Sequence, residues 1–95
     1  MDKWEYCDVS IRVEGKILGP KKWFGDVVVY EPMGKHRADR LATEFNYDPD
    51  QPGRARDAMG QVLAMLGSQG WEIVRYQGSP DSQTREAFLK RRSSS

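Results

Sequence analysis

The chain has one cysteine and one histidine among its 95 residues, and this scarcity excludes several kinds of site. Cys7 has no second cysteine with which to form an intramolecular disulfide. With His36 alone it cannot build the common zinc sites, which need three or four Cys, His or carboxylate ligands. A nucleophilic cysteine also needs an activating base, and we interpret Cys7 as a small core residue. We therefore expect no catalytic residue, no metal site and no cofactor.

The sequence also lacks an excess of charge of one sign and a long apolar run. Its 15 basic and 14 acidic residues give a net charge of +1, which argues against a dedicated polyanion binder. The longest apolar run covers only residues 27–30, far short of a membrane span. Residues 1–20 contain no apolar segment of signal-peptide length. We expect a soluble, cytoplasmic protein without membrane contact.

A period of two in the apolar residues predicts strands in the first half of the chain. Residues 4–13 alternate, with the buried face expected at Cys7, Val9, Ile11 and Val13. Residues 23–31 carry apolar side chains on both parities, which is typical of a strand inside a sheet. Over residues 33–47 the alternation favours a strand over a short helix at 36–45, with an exposed loop over 35–40.

The second half of the chain predicts one helix followed by a hairpin. From Pro52 to Gln69 the apolar residues follow the spacing of one helix face, and Gly70 provides the left-handed residue that a helix C-cap requires. Strands at 71–77 and 84–91, joined by a turn at 78–81, form an antiparallel hairpin. The apolar residues of the helix are Ala55, Ala58, Met59, Val62, Met65 and Leu66.

These elements predict a single α+β domain over residues 1–92, with a disordered tail at 93–95. The expected fold is an antiparallel sheet of four to five strands with one amphipathic helix packed on one face, in the order β-β-β-α-β-β. A calcium loop at Asp48 and Asp50 has too few oxygen ligands. A phosphate loop at residues 15–22 lacks the required spacing of glycines and lysine.

Three segments of the chain resemble a family of small bacterial and phage proteins known as domain of unknown function 4177. The segments are Trp4-Glu5-Tyr6, the junction Leu66-Gly67-x-x-Gly70-Trp71-Glu72-Ile73-Val74, and Ala87-Phe88-Leu89-Lys90-Arg91. The resemblance covers residues 2–13 and 55–92; residues 14–53 are longer than the family pattern, and Asp8 replaces a more usual aliphatic residue. It implies an antiparallel sheet with one helix, and it implies no chemistry.

A single helix covers one face of such a sheet and leaves the other face bare. We expect large aromatic side chains on that bare face, and exposed aromatic patches mark association surfaces. The first hypothesis is therefore a non-enzymatic binding or adaptor module that acts as a homo-oligomer or binds a protein partner. The expected surface residues are Trp4, Tyr6, Tyr76 and Phe88.

The alternative hypothesis is a nucleotide or nucleic-acid binding protein, of the kind by which a phage sequesters a host ligand. Basic loops interleaved with aromatic residues can bind phosphates and stack bases, although acidic neighbours dilute the positive field. The candidate residues for an anionic ligand are Lys21, Lys22, Lys35, His36, Arg37 and Arg40.

Overall fold

The computed structural model of the chain shows the elements in the predicted order. They are β1 (Trp4–Gly15), β2 (Lys21–Tyr30), β3 (His36–Asn46), α1 (Arg54–Gly67), β4 (Glu72–Gln77) and β5 (Glu86–Arg92). The structure describes residues 3–15, 19–31, 34, 36–48, 50, 54–78 and 85–92. The α+β class and the order β-β-β-α-β-β are confirmed.

The five strands form one antiparallel sheet in the order β3-β2-β1-β5-β4. β1 is the central strand, and its alternating sequence supplies one buried and one open face: Cys7 is completely buried, whereas Tyr6 is 40% exposed. β2 lies between β1 and β3, which agrees with its apolar residues on both parities. The predicted alternation in β1 and the interior position of β2 are therefore confirmed.

α1 crosses one face of the sheet because β3 and β4 lie at opposite edges. The chain between these edges must pass over the sheet, and the helix packs against β3, β2 and β1 on the way. Its apolar residues meet the inward residues of the strands and complete a single core. The buried residues are Cys7, Val9, Ile11, Trp23, Val27, Val29, Ala55, Ala58, Met59, Val62, Leu66, Trp71, Ala87 and Leu89.

The helix is followed by a Schellman motif at Gly70, which has a φ of +91°. The backbone N–H of Trp71 donates to the carbonyl of Leu66 at 3.1 Å, and the N–H of Gly70 donates to the carbonyl of Gly67 at 3.0 Å. These are the two hydrogen bonds that define the motif. Trp71 is only 6% exposed as a result of this turn into the core. The predicted glycine cap is confirmed.

The strand prediction for the third segment is correct, but the loop prediction within it is wrong. Residues 36–40 belong to β3 and pair with β2 from Tyr30–His36 to Asp26–Arg40. β3 is an edge strand, and the side chains of residues 36–40 are exposed. Their polar character therefore reflects an exposed strand and does not indicate a loop. The predicted helix start at Pro52, most of the turn at 78–81 and the tail at 93–95 lie outside the described residues.

Candidate functional site

One face of the sheet lies opposite to α1, and we call it the open face. It carries the strand residues that alternate with the core residues. Tyr6 and Tyr30 are 40% and 44% exposed there, and the other large side chains are half-buried. The larger apolar and aromatic residues of this face among the described residues are Trp4, Tyr6, Phe24, Val28, Tyr30 and Phe88.

Tyr6 and Phe88 form a stacked aromatic pair in the centre of the open face. Phe88 lies opposite Asp8 in the pairing of β1 with β5, so Tyr6 is its diagonal neighbour. The ring centroids are 5.6 Å apart and the ring planes differ by 9°. The stack provides a flat apolar surface that a second protein surface can cover.

Trp4 extends this aromatic surface toward the end of the sheet where β1 begins. The Nζ atom of Lys90 lies 4.5 Å from the centroid of the Trp4 ring, and the guanidinium carbon of Arg92 lies 5.7 Å from it. Both distances are within the range of cation–π contacts. The indole is half-buried by these side chains, and this end of the open face is positively charged.

Tyr30 is anchored to the open face by a hydrogen bond across the pair β1–β2. Its hydroxyl donates to Oδ2 of Asp8 at 2.6 Å. Because this hydrogen bond and the negative charge of Asp8 both disfavour loss of the phenolic proton, they raise the pKa of Tyr30 above its ordinary value of 10.0. The phenol therefore stays neutral at physiological pH and holds the Asp8 carboxylate in place.

At the other end of the open face four charged residues contact one another, and we call them the charged quartet: Arg12, Glu14, Asp26 and Arg40. Arg12 contacts Glu14 at 2.9 Å and Asp26 at 2.7 Å. Arg40 contacts Asp26 at 3.7 Å and also pairs with Glu14. Its guanidinium lies 5.7 Å from the ring centroid of Phe24. Two arginines and two carboxylates leave the quartet without net charge.

A β-bulge in β4 changes which of its residues face each side of the sheet. The register advances by two residues in β4, from Ile73 to Arg75, while it advances by one in β5, from Leu89 to Phe88. Val74 is therefore the extra residue of the bulge. Ile73 and Tyr76 therefore face the same side of the sheet, whereas in a regular strand they would face opposite sides.

The expectation that Tyr76 lies beside Trp4 and Tyr6 is wrong because of this bulge. Tyr76 pairs with the core residue Ala87, and directly opposed residues share a face. Its hydroxyl accepts a hydrogen bond from Nη1 of Arg85 at 3.0 Å. Tyr76 thus lies on the side of the sheet where α1 packs, whereas the other three expected residues, Trp4, Tyr6 and Phe88, lie on the open face.

The fold brings together only two of the basic residues considered for an anionic ligand, Arg37 and Arg40, which line one pocket with Arg91 and Trp71. Lys21 and Lys22 begin β2, whereas His36 pairs with Tyr30 at the other end of that strand. Tyr30 lies eight positions after Lys22 in β2, a distance of about 26 Å. Arg37 follows His36, so the two side chains point to opposite faces of the sheet. Lys35 lies outside the described residues.

The two arginines of this set are also paired with carboxylates. Arg37 lies 3.4 Å from Asp39 and 3.9 Å from Glu31, and Arg40 belongs to the charged quartet. A phosphate would have to displace these carboxylates in order to bind there. The pocket that Arg37 and Arg40 line also contains Asp39, so the described geometry gives the nucleotide hypothesis two ion-paired arginines beside Arg91 and not the full candidate set.

Cys7 lies in the core and cannot act as an exposed nucleophile. Burial of the side chain, with a smaller contribution from the charge of Asp8, raises the pKa of its thiol to about 11. The thiolate is the reactive form of cysteine, so the thiol is protonated and unreactive at neutral pH. His36 is on the opposite face of the sheet, where it cannot remove the Cys7 proton.

We expect a thiol reagent such as dithionitrobenzoate to label Cys7 at a rate at least about 100-fold lower in the folded protein than in the unfolded chain. The raised pKa reduces the thiolate fraction, and burial blocks access. Because burial favours the neutral thiol, the unfolding free energy should fall as the pH rises from about 9 toward about 11. Stoichiometric labelling within seconds under native conditions would contradict this placement.

Comparisons with models of known protein families, with curated proteins and with solved structures find no match to this chain. Among the described residues, no group of three or more His, Cys, Asp or Glu side chains is placed to hold a metal ion. No helix in that part of the chain combines the length and apolarity needed to cross a membrane. What indicates a function is therefore the geometry of the surfaces.

Tyr30 and the charged quartet belong to the open face, although the residue pattern of each strand alone does not indicate them. Arg12 and Arg40 come from β1 and β3 and meet only because both strands pair with β2. The charged residues of the strands do contain a signal for these contacts, because opposite charges that face each other on neighbouring strands favour ion pairs. This signal can be interpreted only when the strand order and the register are known.

Proposed function

We propose that the protein is a non-enzymatic binding or adaptor module that acts as a homo-oligomer, and that the open face is its association surface. The observation that supports this most directly is the placement of Trp4, Tyr6 and Phe88 together on the face opposite to α1. Sheets bury their faces against another layer. A second copy of the same face supplies that layer.

The open face is large enough for self-association, and its charged quartet has no net charge. Five strands spaced by about 4.8 Å give it a width of about 20 Å, and β1 gives it a length of about 40 Å. The other strands are shorter, with 6 to 11 residues, so the face offers somewhat less than the roughly 800 Å² that each partner contributes to a standard interface. In a two-fold dimer the same patch contacts itself, and the neutral charged quartet does not repel its own copy.

The absence of enzymatic activity is part of the same proposal. Cys7 is neutral and buried, and the single histidine of the sequence is separated from it by the sheet. The carboxylates of the open face, such as Glu14 and Asp26, are held in ion pairs with arginines. The resemblance to domain of unknown function 4177 adds no chemistry, so a binding role is the function best supported.

The substitution Tyr6→Glu tests the open face directly. Within one chain the new carboxylate would lie opposite Lys90, which supports it electrostatically, so the fold should persist. In a face-to-face oligomer the carboxylate would be buried against a second copy, which is unfavourable without a full set of partners. We expect the oligomer mass measured by sedimentation velocity to be halved.

The control for this experiment is Ala64→Glu, which places the same charge on an exposed position of α1. This variant should keep the mass of the unsubstituted protein, and circular dichroism should show that both variants are folded. A second variant, Tyr6→Ser, removes the aromatic stack without adding charge and should weaken association in the same direction. Unchanged mass in both Tyr6 variants would overturn the open face as the association surface.

A further inference from the structure

The two edges of the sheet differ sharply in how they are protected. The β3 edge carries charged side chains, among them Arg37, Asp39 and Arg40, and charge is a common means of preventing edge-to-edge pairing. The β4 edge is short, but Ile73 is 53% exposed and Val74 is 52% exposed. Shortness and a bulge also limit pairing at an edge, so what distinguishes β4 is its two exposed aliphatic side chains.

The bulge in β4 concentrates the apolar side chains of this edge on one side of the sheet. Ile73 pairs with Leu89, and Tyr76 pairs with Ala87, both of which are core residues. Val74 is the extra residue of the bulge between them, and it is exposed. The helix packs against β1, β2 and β3 and leaves this apolar strip exposed at the far edge.

We propose that β4 pairs antiparallel with β4 of a second copy, so that two chains form one continuous ten-stranded sheet. This inference rests on the proposed homo-oligomer and specifies a second interface for it. A free strand edge presents unpaired N–H and C=O groups that a second strand satisfies. The occupant is a second copy because the sequence of β4 is complementary to itself.

The self-complementarity appears in one particular register. When Glu72 lies opposite Arg75 of the second copy, Ile73 lies opposite Val74 of that copy. Glu72 and Arg75 both lie on the open-face side and Ile73 lies on the other side. Because directly opposed residues share a face, this register places Val74 on the side of Ile73. Two-fold symmetry repeats both pairs, so each dimer gains two opposite-charge contacts and two aliphatic contacts.

The geometry of this edge contact is compatible with association through the open face. Antiparallel pairing places the two-fold axis perpendicular to the sheet, so both helices lie on one side and both open faces lie on the other. Two such ten-stranded sheets can then stack through their open faces into a closed tetramer with D2 symmetry. The unsubstituted protein is therefore expected at four times the chain mass of 10.9 kDa.

The test compares Val74→Glu, Tyr6→Glu and the double variant by sedimentation velocity, with Ala64→Glu as the control. Val74→Glu places two carboxylates close together across the two-fold axis and should yield a dimer held by the open faces. Tyr6→Glu should yield a dimer held by the β4 edges, and the double variant should be a monomer.

A charge exchange in the Tyr6→Glu background tests the register itself. Glu72→Arg and Arg75→Glu should each raise the dissociation constant of the edge dimer about tenfold, and the double exchange should restore it. Failure of the double exchange to restore association would overturn this register. If Val74→Glu keeps the mass of the unsubstituted protein while Tyr6→Glu lowers it, the edge contact is overturned and the open-face association stands. If Val74→Glu lowers the mass while Tyr6→Glu does not, the open-face association is overturned and the edge contact stands.

Discussion

Replacing Gly25 by alanine is expected to lower the unfolding free energy by about 1–3 kcal/mol. Gly25 lies in β2 directly below the helix, and a Cβ atom added there would lie 2.7 Å from Cγ2 and 2.8 Å from Cγ1 of Val62. Val62 is completely buried, so its methyl groups have no free space to enter. The helix would have to move away from the sheet, which loosens the core beneath it.

The partner substitution Val62→Ala makes this prediction specific. In a Val62→Ala background the two clashing methyl groups are gone and only the Cβ atom of residue 62 remains, 3.3 Å from the added Cβ. Gly25→Ala should therefore cost less stability there than in the unsubstituted protein, and a double-mutant cycle should show a coupling of at least about 1 kcal/mol. Gly60 is the matched control glycine, because a Cβ added there meets nothing within 4 Å. Gly60→Ala should raise stability by about 0.5–1 kcal/mol. Equal losses at Gly25 and Gly60 in urea denaturation would contradict the close contact of β2 with α1.

Leu89→Ala is expected to lower the unfolding free energy by about 2–5 kcal/mol. Leu89 is 1% exposed and lies between Cys7 of β1 and Ile73 of β4. The substitution leaves a cavity in the core of a domain whose total stability is of the order of 5–15 kcal/mol. A loss of this size should be visible as a clear shift in the urea midpoint.

The neighbouring residue Phe88 provides the comparison for Leu89. It is the larger side chain, but it is only half-buried on the open face. In dilute protein, where oligomers dissociate, Phe88→Ala should therefore destabilise the fold less than Leu89→Ala. At high concentration Phe88→Ala should in addition weaken association. A larger stability loss for Phe88→Ala in the dilute protein would mean that the two faces of the sheet have been assigned in reverse.

Features that depend on neighbouring residues in the chain were predictable from the sequence. The alternation of β1 is visible because buried and exposed residues follow one another at a period of two. The cap at Gly70 is visible because few residues other than glycine adopt a positive φ readily. The buried face of α1, including Met59 and Val62, follows from its helical spacing.

Features that depend on pairing between distant segments were not predictable in the same way. The neighbouring aliphatic residues Ile73 and Val74 do not reveal the bulge, because either of them could be the residue that faces the core. The bulge places Tyr76 on the opposite side of the sheet from the predicted one. The charges of residues 36–40 are compatible with a loop or with an exposed edge strand, and only pairing with β2 decides between them. The charged quartet likewise depends on the strand order, which local patterns do not determine.

The most direct test of a sheet that associates through its open face is the mass of the unsubstituted protein in solution. Sedimentation equilibrium at tens of micromolar should give a multiple of the 10.9 kDa chain mass, with a distribution that shifts toward smaller species on dilution. A single species at the mass of one chain over the whole concentration range would contradict the account, because Trp4, Tyr6 and Phe88 would then form no interface with a second chain.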